Sequence, residues 1–155
     1  GREIVRQGGA LMMGTKPGFS LWSAMGAKEV GGISVGFSPA ATEREHVEVY
    51  KFPIDYMDLI VFTGFGFPGR DLILVHSSDA VLIGCGGINT LHEFTVAFEE
   101  ERPIGILQGD WGMDDELKDI IAKGHRPNVK IVFDADPKEL VRKVIELVNK
   151  DKESK

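Results

Sequence analysis

Cysteine is nearly absent from this 155-residue chain: Cys85 is the only one, so no disulfide can form within the chain. This excludes a disulfide-stapled scaffold and is typical of a protein of the reducing cytoplasm, where we expect this protein to be located. No apolar run approaches the roughly 18 residues that a membrane-spanning helix needs, so a membrane is not an expected partner.

Basic residues are neither abundant nor clustered. The formal net charge is −6 and the pI is near 5.2. Nucleic acid is therefore not an expected partner, and any bound phosphate has to be held by local groups.

Short apolar runs, typical of strands, alternate with segments of helical periodicity along the whole chain. The runs are Ala10–Met13, Ile33–Phe37, Leu59–Thr63, Ala80–Ile83, Ile104–Leu107 and Val129–Phe133. This alternation predicts an α/β fold, a Rossmann-like doubly wound parallel sheet flanked by helices. We expect one such domain over residues 1–150 and a solvated tail over residues 151–155. Gly1 to Gln7 is typical of a helix end that leads into a strand, so we expect the usual first strand of the sheet to be missing from this sequence.

A glycine-rich turn follows the fourth apolar run, within the stretch from Val81 to Glu93. Gly86 and Gly87 allow a tight backbone turn, and Asn89 and Thr90 are candidate helix caps. The helix that follows directs its unpaired N–H groups and the positive end of its dipole at the turn, which favours an anion such as phosphate. The alternative is an ordinary strand-to-helix turn with no ligand.

Two helices can be outlined from their apolar spacing. After the glycine turn, the residues predicted to face the sheet are Leu91, Phe94, Thr95 and Phe98, which leaves Glu93 outside the core stripe. Asp136 and Pro137 are an N-cap followed by a proline in the first helical position, and they predict the start of the last helix.

The carboxyl ends of parallel strands share one edge of a sheet, so the loops that follow them converge. Among the glycines of these loops, Gly14 and Gly18 in the first loop are candidate nucleotide-binding residues. Arg70 is predicted to open the helix Asp71–His76 at the same edge, where it could clamp a phosphate or carboxylate. The alternative for Arg70 is a surface arginine that bonds a helix terminus or Asp71.

Glu93 is a candidate catalytic carboxylate, one turn into its helix. Beside a sugar it could stabilise oxocarbenium-like charge or orient water, or it could serve only the helix N-terminus. The string from Gly64 to Gly69 matches G-x-G-x-x-G, but Pro68 and the absence of an acid at position 84 disfavour a dinucleotide site. We expect this string to be a loop that aims Arg70.

No metal site is predicted. The candidate ligands His46, His76, His92 and Cys85 lie on different elements without metal-ligand spacing, and the last two histidines are expected on helix surfaces.

Taken together, these residues resemble the LOG (lonely guy) and molybdenum-cofactor-carrier branch of the SLOG superfamily over nearly the whole chain. The signature of that family is P-G-G-x-G-T-x-x-E, and the segment from Cys85 to Glu93 occupies its positions. Arg70 matches the arginine that precedes the signature. The segment from Gly26 to Gly32, with Gly36 and Pro39, is similar to the family's second unit.

The resemblance implies that Arg70 and Glu93 form a catalytic pair that hydrolyses the N-glycosidic bond of a nucleoside 5′-monophosphate, releasing the base and ribose 5-phosphate. It also implies that Gly86, Gly87 and Thr90 hold the phosphate, with Asn89 at the same turn. The sequence departs from the family pattern in three places: Cys85 replaces proline, Asn89 replaces glycine, and Asp71 replaces the lysine after the arginine. Asp71 adds negative charge where a cation is usual.

Two hypotheses follow from the resemblance and its departures. One is a phosphoribohydrolase; the other is a non-catalytic carrier of an AMP-like nucleotide or a molybdopterin-type ligand. Neither requires a resident cofactor. Pyridoxal phosphate chemistry, as in a lysine decarboxylase, is not expected, because Lys16 is the only lysine in a loop at the strand ends. Sheets of this kind commonly bury helix faces against a second copy, so we expect a homodimer or higher homo-oligomer.

Overall fold

The computed structural model describes residues 1–125 and 130–153. The chain divides into two compact units, Gly1–Ser77 and Ser78–Lys155. Each unit contains a three-stranded parallel sheet with helices packed against it. The predicted α/β class is confirmed, with the six described strands distributed over two sheets.

The first unit contains three strands in sequential order, β1-β2-β3. Its elements are α1 (Arg2–Arg6), β1 (Leu11–Gly14), α2 (Phe19–Glu29), β2 (Ser34–Ser38), α3 (Glu43–Glu48), β3 (Leu59–Phe62) and α4 (Gly66–His76). Helix α3 begins with a variant of the capping box: the Thr42 hydroxyl accepts the Glu45 N–H at 3.1 Å, and the Glu45 carboxylate accepts the N–H of Ala41, one residue before the N-cap, at 2.8 Å. This pairing fixes where a short helix starts.

The two faces of β1 bury different partners. Leu11 and Met13 pack with Ala24 and Ala27 of α2. Alternation along the strand turns Gly14 to the opposite face, where α4 also contacts the sheet. The C-terminal end of β1 is therefore held between helices, with small residues where the backbones come close.

The second unit repeats the plan with the order β4-β5-β6. Its elements are β4 (Val81–Ile83), α5 (Ile88–Glu99), β5 (Ile104–Leu107), α6 (Met113–Lys123), β6 (Ile131–Asp134) and α7 (Pro137–Glu153). The N-terminus of α7 is capped as predicted, because Asp136 accepts the Lys138 N–H at 2.8 Å. The central strand β5 is buried at Ile104 and Ile106 on one face, and its Gly105 lies against α7 on the other.

Most predicted strand bounds hold within one residue, and Val129 lies outside the described residues. Helix α7 continues through Glu153, into the segment expected to be a tail, and Lys130 holds Asp151 at 2.5 Å. Residues 154 and 155 lie outside the described residues. The prediction that Thr95 faces the sheet is wrong: Thr95 is exposed, and the buried residues of α5 are Phe94 and Ala97. A small alanine on this side of α5 allows the close approach that a threonine would hinder.

No helix in the described parts of the chain is long and apolar enough to cross a membrane.

A Gly105→Ala substitution tests the close packing of α7 on β5. The added methyl would lie 2.5 Å from Val144 Cγ2 and 2.7 Å from Leu82 Cδ2. Overpacking of this kind costs about 1–3 kcal/mol, which urea denaturation should detect as a lower free energy of unfolding. In the double variant with Val144→Ala, the loss of stability should be smaller than the sum of the two single losses. A loss equal to that sum would contradict this packing.

The Asp58 carboxylate makes the stability of the first unit depend on pH. Its carboxylate accepts Lys28 Nζ at 2.6 Å and the Ser34 N–H at 2.9 Å, and these bonds lower the pKa of Asp58. A lowered folded-state pKa contributes stability above the ordinary pKa of about 3.9, and this stability is lost as pH falls through the folded value. Asp58→Asn should therefore lower the melting temperature at pH 7 and reduce its decline toward pH 3. The exposed Asp55→Asn is the control, and an identical decline in both variants would refute the assignment.

Candidate functional site

The glycine turn of the second unit joins β4 to α5 and is built around a contact between Gly86 and Thr90. A Cβ at position 86 would overlap Thr90 Oγ1 and lie 2.6 Å from Thr90 Cβ. Only glycine therefore allows the Thr90 side chain to fold back over the turn. Gly87 has open space at its Cα, and both glycines are exposed. The two glycines therefore leave the backbone of the turn open to solvent, and Ile88, the first residue of α5, is 79% exposed beside them.

The predicted capping of α5 by Asn89 or Thr90 is wrong. The N-cap is Gly87, and no side chain accepts a hydrogen bond there. Asn89 and Thr90 lie inside the first helical turn, because the chain already turns into the helix at Ile88. The first N–H groups of α5 thus have no side-chain cap, and an anion could accept from them.

Electrostatics distinguish the start of α5 from the start of α6. The first turn of α5 contains no acidic residue. The first turn of α6 contains Asp114, Asp115 and Glu116. Negative side chains already complement the dipole of α6, so a phosphate is favoured at α5 and disfavoured at α6. Glu93 lies one turn further along α5 and is half-buried.

In the first unit, Arg70 reaches the C-terminal end of β1. A Cβ at position 14 would lie 2.9 Å from Arg70 Cζ and would overlap Nη1, so the guanidinium lies directly against Gly14. The cation also lies over the Phe67 ring, 5.9 Å from the ring centroid. Gly14 and Arg70, both predicted site residues, are thus brought together.

Two predictions for Arg70 are wrong: it is not the residue that opens its helix, and it is not on the surface. Helix α4 begins at Gly66, so the last four residues of the string Gly64 to Gly69 form its first turn rather than a separate loop, and Pro68 is tolerated there. Arg70 is 3% exposed, and its Nη2 lies 3.2 Å from Oδ1 of Asp71, which is 1% exposed. Arg70 and Asp71 therefore form an ion pair, but in the interior of the protein rather than on its surface.

The loop from β1 to α2 holds a further polar group that the sequence did not single out. Thr15 is 1% exposed, and its hydroxyl has no hydrogen-bond partner within the described part of the chain. Gly18, predicted as a binding residue, is the N-cap of α2 with φ of +115°, a conformation that requires glycine. Lys16 is exposed in this loop.

His46 was considered only as a metal ligand, yet it is fully buried and structural. Its Nε2 donates to the Pro53 carbonyl at 2.9 Å, and its Nδ1 lies 2.8 Å from Ser38 Oγ. The rings of Phe52 and Phe62 meet it edge-on, each 5.7 Å away. A histidine amid mixed polar and aromatic residues gives no periodic signal, so only the folded chain shows this role.

No group of three metal-binding side chains occurs among the described residues. His76 is exposed, as predicted, whereas His92 and Cys85 are half-buried.

The SLOG cluster4 family matches residues 1–141 of the chain. The chain belongs to the SLOG cluster4 family. An uncharacterized protein of Archaeoglobus fulgidus is 32% identical over 108 residues, which are 70% of this chain and 66% of the archaeal protein, just under two thirds of its length. Family membership was predicted from the glycine turn and Arg70.

Two solved structures extend the comparison for this SLOG cluster4 member. The molybdenum cofactor binding protein of Rippkaea orientalis is 25% identical, with a TM-score of 0.70 over 97% of this chain and 82% of that chain. The molybdenum cofactor carrier protein of Chlamydomonas reinhardtii is 23% identical, with a TM-score of 0.73 over 96% of this chain and 83% of that chain. The latter likeness shows a shared fold.

Removing the carboxylate of the Arg70–Asp71 pair should destabilise the protein strongly. An arginine remains charged, so Asp71→Asn leaves a buried cation with less countercharge, a change that costs about 3–5 kcal/mol in comparable pairs. Urea denaturation measures the loss. Glu48→Gln, which breaks the exposed Arg44–Glu48 pair of α3, is the control and should change little.

The double variant Arg70→Met, Asp71→Leu should recover stability relative to Asp71→Asn alone, because it removes both charges. A loss for Asp71→Asn as small as that of the control would refute a buried ion pair.

Proposed function

We propose that this protein binds a phosphorylated small molecule, an AMP-like nucleotide or a molybdopterin-type ligand, and acts as a carrier without cleaving it. The observation that carries the proposal is the turn from Gly86 to Thr90, where glycine leaves space for a hydroxyl folded back over an uncapped helix start. A phosphate at this position would accept hydrogen bonds from the first N–H groups of α5 and from Thr90 Oγ1.

The residues of this turn fit a phosphate monoester in three respects. Gly86 and Gly87 are exposed and place no side chain over the backbone. The helix dipole attracts an anion, and no acidic side chain in the first turn of α5 competes with it. When bound, a molybdopterin-type ligand would bring the metal-binding chemistry, and this chain would supply only binding and orientation.

Carriage is further supported by the relatives. The Rippkaea orientalis protein, whose structure is similar over nearly the whole chain, is a molybdenum cofactor binding protein. The fold shared with the carrier protein of Chlamydomonas reinhardtii points the same way.

Hydrolysis of a nucleoside 5′-monophosphate is the second candidate function, and the presence of both Arg70 and Glu93 favours it. In that reaction Arg70 would contact the substrate and Glu93 would stabilise the oxocarbenium-like transition state. Two observations weigh against it. Arg70 is buried, and Asp71 at 3.2 Å offsets its charge. An arginine with a buried carboxylate beside it attracts a phosphate less strongly than one with the family's usual lysine.

Calorimetric titration with AMP, GMP and ribose 5-phosphate tests the proposed phosphate site. Thr90→Val keeps the shape of the side chain but removes the hydroxyl, and we expect it to weaken binding of all three about tenfold, as for a hydrogen bond to a charged group. Thr95→Val is the matched control on the same helix, since Thr95 is exposed and its hydroxyl donates to the His92 carbonyl at 2.9 Å. Thr90→Ser should retain binding. Equal affinities in both valine variants and the wild-type protein would refute the phosphate site.

Chromatography of the same mixtures separates the carrier from the hydrolase. We expect no release of free base or ribose 5-phosphate from AMP or GMP. Release that is lost in Glu93→Gln, while affinity is retained, would establish the hydrolase instead. Light scattering of these samples, with and without ligand, tests the expected homo-oligomer.

A further inference from the structure

The loop between β5 and α6 presents a partly exposed aromatic ring. Trp111 lies directly over Gly109: a Cβ there would be 2.7 Å from Cζ2 of the indole and would overlap its outer ring atoms. Trp111 is 39% exposed. Two features define the backbone of this loop: the Trp111 N–H donates to the Gly109 carbonyl at 2.9 Å, and Gly112, with φ of +76°, turns the chain into α6.

Within the second unit, this loop is next to the turn from Gly86 to Thr90 that we propose binds phosphate, called the phosphate turn below. Strands β4 and β5 are paired in parallel, with Ile83 opposite Ile106. The turn at Gly84–Gly87 and the loop at Gln108–Gly112 therefore leave neighbouring strands at the same edge of one sheet, where strands are about 4.8 Å apart. A ligand whose phosphate rests on the first loop can extend its other end toward the second.

The charges of the two loops suit the two ends of such a ligand. The start of α5 has no acidic residue, whereas the start of α6 has three. Lys118 pairs with two of these, Asp114 and Asp115, so the first turn of α6 keeps a net negative charge, and Asp110 is exposed beside Trp111. A phosphate is repelled from the α6 side, while a ring with amino and N–H donors is favoured there. Nucleobases and pterins are planar rings of this kind, and every such ring has a face that can stack on an indole.

We propose that Trp111 is a stacking platform for the planar heterocycle of the bound ligand, with Gly109 positioning the indole. The proposal rests on the proposed binding function, and it assigns the residue that would select a phosphate ester with a planar nitrogen heterocycle over a sugar phosphate alone. The phosphate turn would supply the anchor and Trp111 the selection for the ring.

Fluorescence titration tests this contact directly, because the chain has only two tryptophans. The other, Trp22, is 64% exposed on α2 in the first unit. In a Trp22→Phe protein the signal comes from Trp111 alone. We expect AMP and GMP to quench this signal and ribose 5-phosphate to leave it unchanged. Saturating AMP, confirmed by calorimetry, without any quenching would overturn the proposal.

Affinities of a matched pair of variants give a second readout. Trp111→Ala should weaken AMP and GMP binding about tenfold, the usual loss for one base stacked on an aromatic ring, without changing ribose 5-phosphate binding. Trp22→Ala should change neither. Gly109→Ala keeps the indole but displaces it, so it should also weaken AMP binding.

The outcomes separate this inference from the function on which it rests. If Trp111→Ala binds AMP as tightly as the wild-type protein does, and binds ribose 5-phosphate as tightly as well, the platform is refuted while the phosphate site stands. If none of the three ligands binds the wild-type protein, the proposed function fails and the platform fails with it.

Discussion

At three strand ends, a side chain lies where the Cβ of any residue other than glycine would be. Arg70 lies against Gly14, Thr90 against Gly86, and Trp111 against Gly109. In each case the missing Cβ lets a chemically active group rest directly on the backbone. The contacts of Thr90 and Trp111 are local in sequence, whereas that of Arg70 is not, but all three occur where parallel strands end and ligands of α/β proteins usually bind. The candidate chemistry of the protein depends on this steric constraint more than on any single hydrogen bond.

Charge placement then divides the roles of these three contacts. Asp71 beside Arg70 creates a buried pair, which suits a group that supports the end of β1 rather than one that meets a substrate. Thr90 is at a helix start without acidic side chains, and Trp111 is at one that has three. An anion and a planar ring therefore find different environments on adjacent strands of the same sheet.

Much of this arrangement could be predicted from the sequence, because its signals are local. The apolar run Ile104–Leu107 and the cap at Asp136 each determine their own element, and both were predicted correctly. The glycine turn was recognised because its spacing is rigid. The burial of Arg70 could not be predicted, since it depends on Gly14, which is distant in sequence. The capping of α5 was misjudged because polar residues at two consecutive positions looked equally able to accept the first N–H groups.

The buried His46 has a consequence for how the first unit becomes ordered. His46 is on α3, its two ring nitrogens meet Ser38 at the end of β2 and Pro53 beyond the helix, and two phenylalanine rings enclose it. Each of these contacts joins α3 to a segment outside the helix, so His46 links the end of β2 to the chain beyond α3. We therefore expect the stretch from Ser38 to Pro53 to be protected from hydrogen exchange as one unit, although much of its length has no regular secondary structure.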